Sequence, residues 1–155
     1  VGYESREVSF RREHASRDET DLALHPDLEE SVDLLKFTPG MDPELLANLS
    51  DRAGVVIEGT GLGHVNTAWV DTVEALVDGG TSVVMTSQCI EGRVCDRVYD
   101  TGRDLLDAGV VEGEDTLPGT AMVKLMWVLA NAESVPDAMG ASLAGEIQDR
   151  STPWR

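Results

Sequence analysis

The stretch Val55-Val-Ile-Glu-Gly-Thr-Gly-Leu-Gly-His64 sets three alternating glycines and a histidine at the end of an apolar run. Glycines so placed can cradle a phosphate, and two fingerprints test that chemistry. The dinucleotide pattern G-x-G-x-x-G accepts Gly59 and Gly61, but His64 stands where the third glycine is required. The lysine-bearing phosphate loop needs Gly-Lys-Ser/Thr, which occurs nowhere in the chain. The remaining reading is a buried strand ending in a loop of unusual backbone freedom, with Asn66 capping the helix that follows.

Other side chains could act as acid, base or nucleophile. Glu58 ends the same strand, and Glu91, Arg93 and Asp96 lie in a later loop. Paired carboxylates at strand ends can move protons, but in a chain this acidic the structural reading is favoured. In that reading Arg93 and Arg97, one helical turn apart, pair with Glu91 or Asp100. No G-x-S-x-G occurs, and no Ser, Thr or Cys adjoins a histidine. Thr60, Thr86 and Ser87 sit at expected strand ends, where hydroxyls usually cap backbone groups. His14 and His25 fall in a polar lead segment and are expected to be exposed. Cys89 and Cys95, with five residues between them, match no common zinc or redox spacing and read as reduced thiols.

The elements that must hold these residues follow from periodicity. Residues 1–25 read as a strand or hairpin and a linker, the tail of something preceding. The domain division is 1–27 for that tail and 28–155 for a compact α/β domain. A strand over 32–37 stops at Thr38-Pro39-Gly40, and Asp42-Pro43 opens a helix to about residue 52. The strand at 55–58 leads to a helix over 66–78 that ends at Gly79-Gly80. A third strand covers 82–87, and a short helix covers 101–108. Val110-Val111 forms a very short fourth strand. Helices over 117–131 and about 135–143 complete the chain. Strands alternating with helices imply right-handed parallel crossovers, hence an open, mainly parallel sheet of about four strands flanked by helices. Ligands in such sheets lie beyond the carboxyl ends of the strands, at residues 38–40, 59–64 and 87–93.

The chain has 155 residues, enough for one domain with a real core. It carries 29 acidic against 12 basic residues, a formal net charge of −17, and only Lys36 and Lys124 are lysines. That field repels nucleic acid. Spread along the whole chain, it fits adaptation to high salt, where the Debye length shrinks to about 3 Å at 1 M. The melting temperature is therefore expected to rise strongly from dilute buffer to molar KCl, and a flat or falling value would remove the argument. No apolar run approaches a membrane span, and the first ten residues lack the apolar core of a signal peptide. With no initiating Met, the chain reads as a piece of a longer, cytoplasmic polypeptide. Composition and spacing alone stop at an acidic α/β domain.

Longer phrases go further. LLKFTPGMDPELL, GVVIEGTGLGHV, VVMTSQCIEGRV, VYDTGRDLLDAGVVEGEDTLPGTAMVKLMWVLAN and SLAGEI occur in order. The stretch 34–131 resembles the C-terminal domain of the asparaginase/glutaminase family. IEGTGLGH and AMVKLMWVL resemble its archaeal branch, the glutaminase subunits of glutamyl-tRNA(Gln) amidotransferases, and a haloarchaeal source would account for the charge. The resemblance implies an enzyme that releases ammonia from glutamine. It implies a homodimer, and a partner, the amidotransferase's E subunit, that uses ATP and Mg²⁺ and alone contacts tRNA. In the family the nucleophile is a threonine of the N-terminal domain, within T-G-G-T-type and G-T-D-T-type segments. Neither segment occurs here: Thr101-Gly102 continues as Arg-Asp, and Gly59-Thr60 as Gly-Leu. The resemblance thus places no catalytic residue, metal or cofactor in this piece. It implies that the loop with Gly63 and His64 reaches a neighbouring subunit's active site, with His64 where asparaginases carry asparagine. The alternatives are a type I asparaginase C-terminal domain and a non-catalytic module of the same fold.

Overall fold

The structure is a computed structural model that describes residues 2–4, 7–9 and 21–149. His14 and most of the expected tail lie outside these residues, as does the start of the division at 1–27. Strands β1 (Gly2–Glu4) and β2 (Glu7–Ser9) form the expected hairpin, paired antiparallel. Residues 21–31 then run without regular structure along a later helix. There the Trp127 indole donates to the His25 carbonyl at 3.1 Å, Asn131 to the Asp27 carbonyl at 2.8 Å, and the Glu29 amide to the Met126 carbonyl at 2.9 Å. His25 is exposed, as expected, with its ring edge-on to Trp127.

The main sheet has four parallel strands in the order β3 (Val32–Lys36), β4 (Gly54–Gly59), β5 (Ser82–Ser87), β6 (Val111–Glu112). Val32 pairs with Gly54, Gly54 with Ser82, and Val84 with Val111. Alternate residues of the two central strands enter different cores. Val55, Ile57, Val83 and Met85 meet Leu46, Trp69, Val73, Leu76 and Leu105 on one face. Val56 and Val84 meet Ala121, Leu125, Val128 and Met139 on the other. Covering both faces is what makes these strands continuously apolar.

The helices are α1 (Glu44–Ala47), α2 (Val70–Asp78), α3 (Asp100–Asp107), α4 (Pro118–Asn131) and α5 (Val135–Gly140). Two are shorter than the sequence predicts. α1 stops after one turn because the following amides bond three residues back, Leu49 to Leu46, Ser50 to Ala47 and Arg52 to Leu49, which tightens the chain into turns. α5 ends at Gly140, where Ala141 turns extended (φ −89°, ψ 143°). The expected helix over 66–78 opens with a 3₁₀ turn, Thr67–Trp69, and Asn66 caps it by accepting the Ala68 amide at 2.9 Å. The fourth strand begins one residue late. Val110 donates its amide to the Leu105 carbonyl to close α3, with Gly109 left-handed at φ +91°. No helix of the described residues is long and apolar enough to cross a membrane.

Candidate functional site

The parallel sheet brings the three expected loops together at its carboxyl edge. Gln88 ties them: its amide nitrogen donates to the Phe37 carbonyl at 2.6 Å and the Glu58 carbonyl at 3.0 Å, and its backbone amide donates to Gly59 at 2.8 Å. The hydroxyls beside it are engaged with backbone. Thr60 Oγ1 donates to the His64 carbonyl (3.1 Å), Thr86 Oγ1 to Ile57 (2.9 Å) and Ser87 Oγ to Gly61 (2.5 Å). Ser87 Oγ also accepts the Cys89 amide at 3.0 Å. Each hydroxyl caps, as expected, and none has a base poised to activate it.

The glycine loop folds back on itself. Thr60 and His64 form an antiparallel bridge, and the amides of Gly63 and His64 both donate to the Thr60 carbonyl. Gly59 is required because a Cβ there would stand 2.7 Å from the Gly63 carbonyl carbon. Gly63 has φ +100° and packs against Val94, whose Cγ1 would lie 2.8 Å from an added Cβ. The backbone freedom read from the sequence is used mainly for close packing: Gly59 and Gly63 are buried, and of the three glycines only Gly61 (φ +56°) faces open space. The Gly63 amide is committed within the loop, to the Thr60 carbonyl.

His64 is half-buried, and its Nε2 is buried without a hydrogen-bond partner. Its ring stands edge-on to Tyr99, centroids 4.9 Å apart at 78°. That nitrogen has unspent hydrogen-bonding capacity but is closed to solvent here, so a ligand or a facing chain reaches it only after the ring turns outward.

The acidic residues take the structural part. Glu58 pairs with Lys36 at 3.0 Å. Asp100 is not the partner of Arg93 or Arg97, because residues 93–97 form a loop rather than a helix. Arg93 meets Glu114 (2.6 Å) and Asp115 (3.5 Å) and donates to the Gln148 carbonyl, while Arg97 meets Glu112 at 3.3 Å. Asp100 pairs instead with Arg103 at 3.7 Å. Cys89 and Cys95 are free thiols, one exposed and one half-buried.

Two features go beyond the sequence reading, which named Asp96 among the loop carboxylates but not its burial. Asp96 is fully buried, with neither carboxyl oxygen bonded; burial, and then the charge of Glu112, push its pKa up to about 7. Away from the strand ends, an apolar groove of about 750 Å³ is lined by Leu28, Val123, Trp127 and Leu143. Lys124 and Glu146, 2.7 Å apart, also line it.

The description "Glutaminase/Asparaginase C-terminal domain" belongs to a family whose model matches residues 31–139. The D subunit of glutamyl-tRNA(Gln) amidotransferase from Halobacterium salinarum is 60% identical over 151 residues, covering 97% of this chain and 35% of that protein. The D subunit from Methanosarcina mazei is 49% identical, covering 96% of this chain and 36% of that protein. Among solved structures, the thermostable L-asparaginase from Thermococcus kodakarensis superposes with a TM-score of 0.83 at 28% identity, over 96% of this chain and 47% of that one. The chain thus spans about a third of the length of the curated relatives it matches. With the four-stranded parallel sheet and its flanking helices, the match over most of the chain fixes its family: this chain belongs to the glutaminase/asparaginase family and carries that family's C-terminal domain.

Proposed function

We propose that this chain is the C-terminal part of the glutaminase subunit of a haloarchaeal glutamyl-tRNA(Gln) amidotransferase. The whole subunit hydrolyses glutamine to glutamate and ammonia. The E subunit then uses that ammonia, with ATP and Mg²⁺, to convert Glu-tRNA(Gln) to Gln-tRNA(Gln) in the cytoplasm. What carries the reading is the 60% identity to the amidotransferase D subunit over nearly the whole chain, against 28% to the asparaginase structure. A strongly acidic surface leaves tRNA to the partner.

Within the enzyme this domain supplies no nucleophile. It works in a homodimer, presenting His64 across the interface to the amino-acid end of the glutamine bound by the adjoining protomer. A neutral imidazole can donate or accept one hydrogen bond at each nitrogen, and an imidazolium adds a charge that suits a carboxylate. In the full-length enzyme, His64→Ala is expected to raise KM for glutamine about tenfold, the scale of one hydrogen bond to a charged group, with the dimer intact by sedimentation. Unchanged glutaminase kinetics would reduce His64 to a loop residue and sink the reading of the site.

A further inference from the structure

Beside Ser87 and Gln88, which bond the Gly61 and Gly59 carbonyls, the glycine loop is held from outside by residues 93–99. Val94 is buried against Gly63. The Cys95 amide donates to the Leu62 carbonyl at 2.9 Å, and Tyr99 stands edge-on to the His64 ring. The segment is fastened in turn to β6 and the residues after it. The Val94 amide donates to the Glu114 carbonyl at 2.9 Å, and the Asp96 amide to Glu112 Oε1 at 3.0 Å. At its centre is the Asp96 carboxyl, buried and without a bonded partner. A buried carboxyl in that state is tolerable when neutral and costly when ionised, unless water reaches it.

We propose that Asp96 is a proton-controlled positioning residue: its neutral form seats residues 93–99 on the glycine loop, and its ionised form releases them, weakening glutamine capture through His64. The link to glutamine rests on the function proposed above; the release itself does not. The charges around Asp96 leave ionisation uncompensated. On β6, Glu112 presents one carboxylate oxygen to the Asp96 amide, and its other oxygen pairs with the largely exposed Arg97. After β6, Glu114 and Asp115 are met by Arg93. On α3, Asp100 pairs with Arg103, whose Nε donates to the Arg97 carbonyl. From the glycine loop comes His64. None of these cations bonds the Asp96 carboxyl. The raised pKa near 7 puts the transition within reach of the cell: the seated form prevails below it and is lost as pH rises through it. The only covalent change is the proton's: the carboxyl O–H bond breaks and the proton passes to water.

The test uses the full-length enzyme and its Asp96→Asn variant, which keeps the shape and removes the titration. Amide-exchange protection of peptides spanning residues 60–66 and 93–97, corrected for intrinsic rates, is compared between about pH 6 and pH 8. Protection that falls with pH in the native enzyme and stays constant in the variant supports the proposal. Protection that is pH-independent in both, or that falls equally in both, overturns it. KM for glutamine reports on the link to the site. If only the neutral form is competent, the competent fraction drops from about 0.9 to about 0.1 over that range, so native KM rises about tenfold and the variant's stays flat. Protection that falls in the native enzyme alone, with a flat native KM, would overturn the coupling to glutamine through His64 while leaving the release established.

Discussion

Replacing Lys124 with methionine is expected to destabilise the fold by about 3–5 kcal/mol, the usual cost of removing one partner from a buried ion pair. Lys124 lies inside α4 with 5% of its side chain exposed, and Glu146 keeps 11%. The ammonium donates to Glu146 at 2.7 Å, to the Met139 carbonyl at 2.9 Å and to the Ala141 carbonyl at 2.5 Å. Three acceptors converge on one cation. The substitution takes the ammonium from the Met139 and Ala141 carbonyls and leaves Glu146 with its two amide donors but no counter-charge, loosening the end of α5 and residues 141–146 from α4. For a domain of this size the loss corresponds to a fall in melting temperature of about 6–20 °C, measured in molar salt. Glu146 supplies the pH signature. Burial opposes its ionisation, but Lys124 and the amides of Leu143 and Ala144 outweigh burial and pull its pKa down to about 2. A lowered carboxylate pKa stabilises the fold above the ordinary range near 4.5, and that contribution disappears as pH falls toward 2. Lys124→Met should therefore flatten the acid limb of the stability curve. A double variant, Lys124→Met with Glu146→Leu, should recover part of the loss.

Asp96→Asn works in the opposite direction. The native carboxyl is raised from 3.8 to about 7, first by burial and then by Glu112. A raised carboxylate pKa makes the native fold lose stability between those limits as pH climbs, because the unfolded chain gives up its proton first. The amide has no proton to lose. The variant is expected to match the native protein below about pH 4 and to exceed it by up to about 4 kcal/mol at pH 8, since a tenfold change in proton affinity is worth about 1.36 kcal/mol. Where residues 93–99 lift and hydrate the carboxylate, the gain is smaller, capped by the cost of lifting them. Denaturant unfolding at several pH values, with the midpoint followed at constant slope, measures this. Equal midpoints of the two proteins at pH 8 would show that the carboxyl is not buried in the native state.

The sheet was legible because its signal is local. Val55 to Ile57 and Val83 to Met85 are apolar on both faces, which only a doubly covered parallel strand requires, and Asn66 and Gly79 mark a helix between them. Helix ends were less legible: α1 stops where backbone turns compete with helical bonding and no residue type announces it, and α5 stops at Gly140, a glycine the sequence reading ran past. The glycine loop was located correctly but read too openly. Alternating glycines do not reveal whether freedom is used to expose a peptide or to let Val94 and Gly63 meet. Asp96 and Lys124 were opaque for a further reason: a charge looks the same in sequence whether solvent or protein surrounds it, and only long-range packing decides. His64 stood out by following the glycines, yet its contact with Tyr99 joins segments far apart in sequence.

The domain carries the family's C-terminal fold, and we propose that it lacks the nucleophile of amide hydrolysis. Ammonia release from glutamine by the purified chain, assayed in molar KCl beside the full-length subunit, tests it most directly. The expected result is ammonia from the full-length subunit and none above buffer from the chain, because Thr60, Thr86 and Ser87 all spend their hydroxyls on backbone carbonyls. Turnover by the chain alone, abolished by Thr60→Ala, would contradict the account.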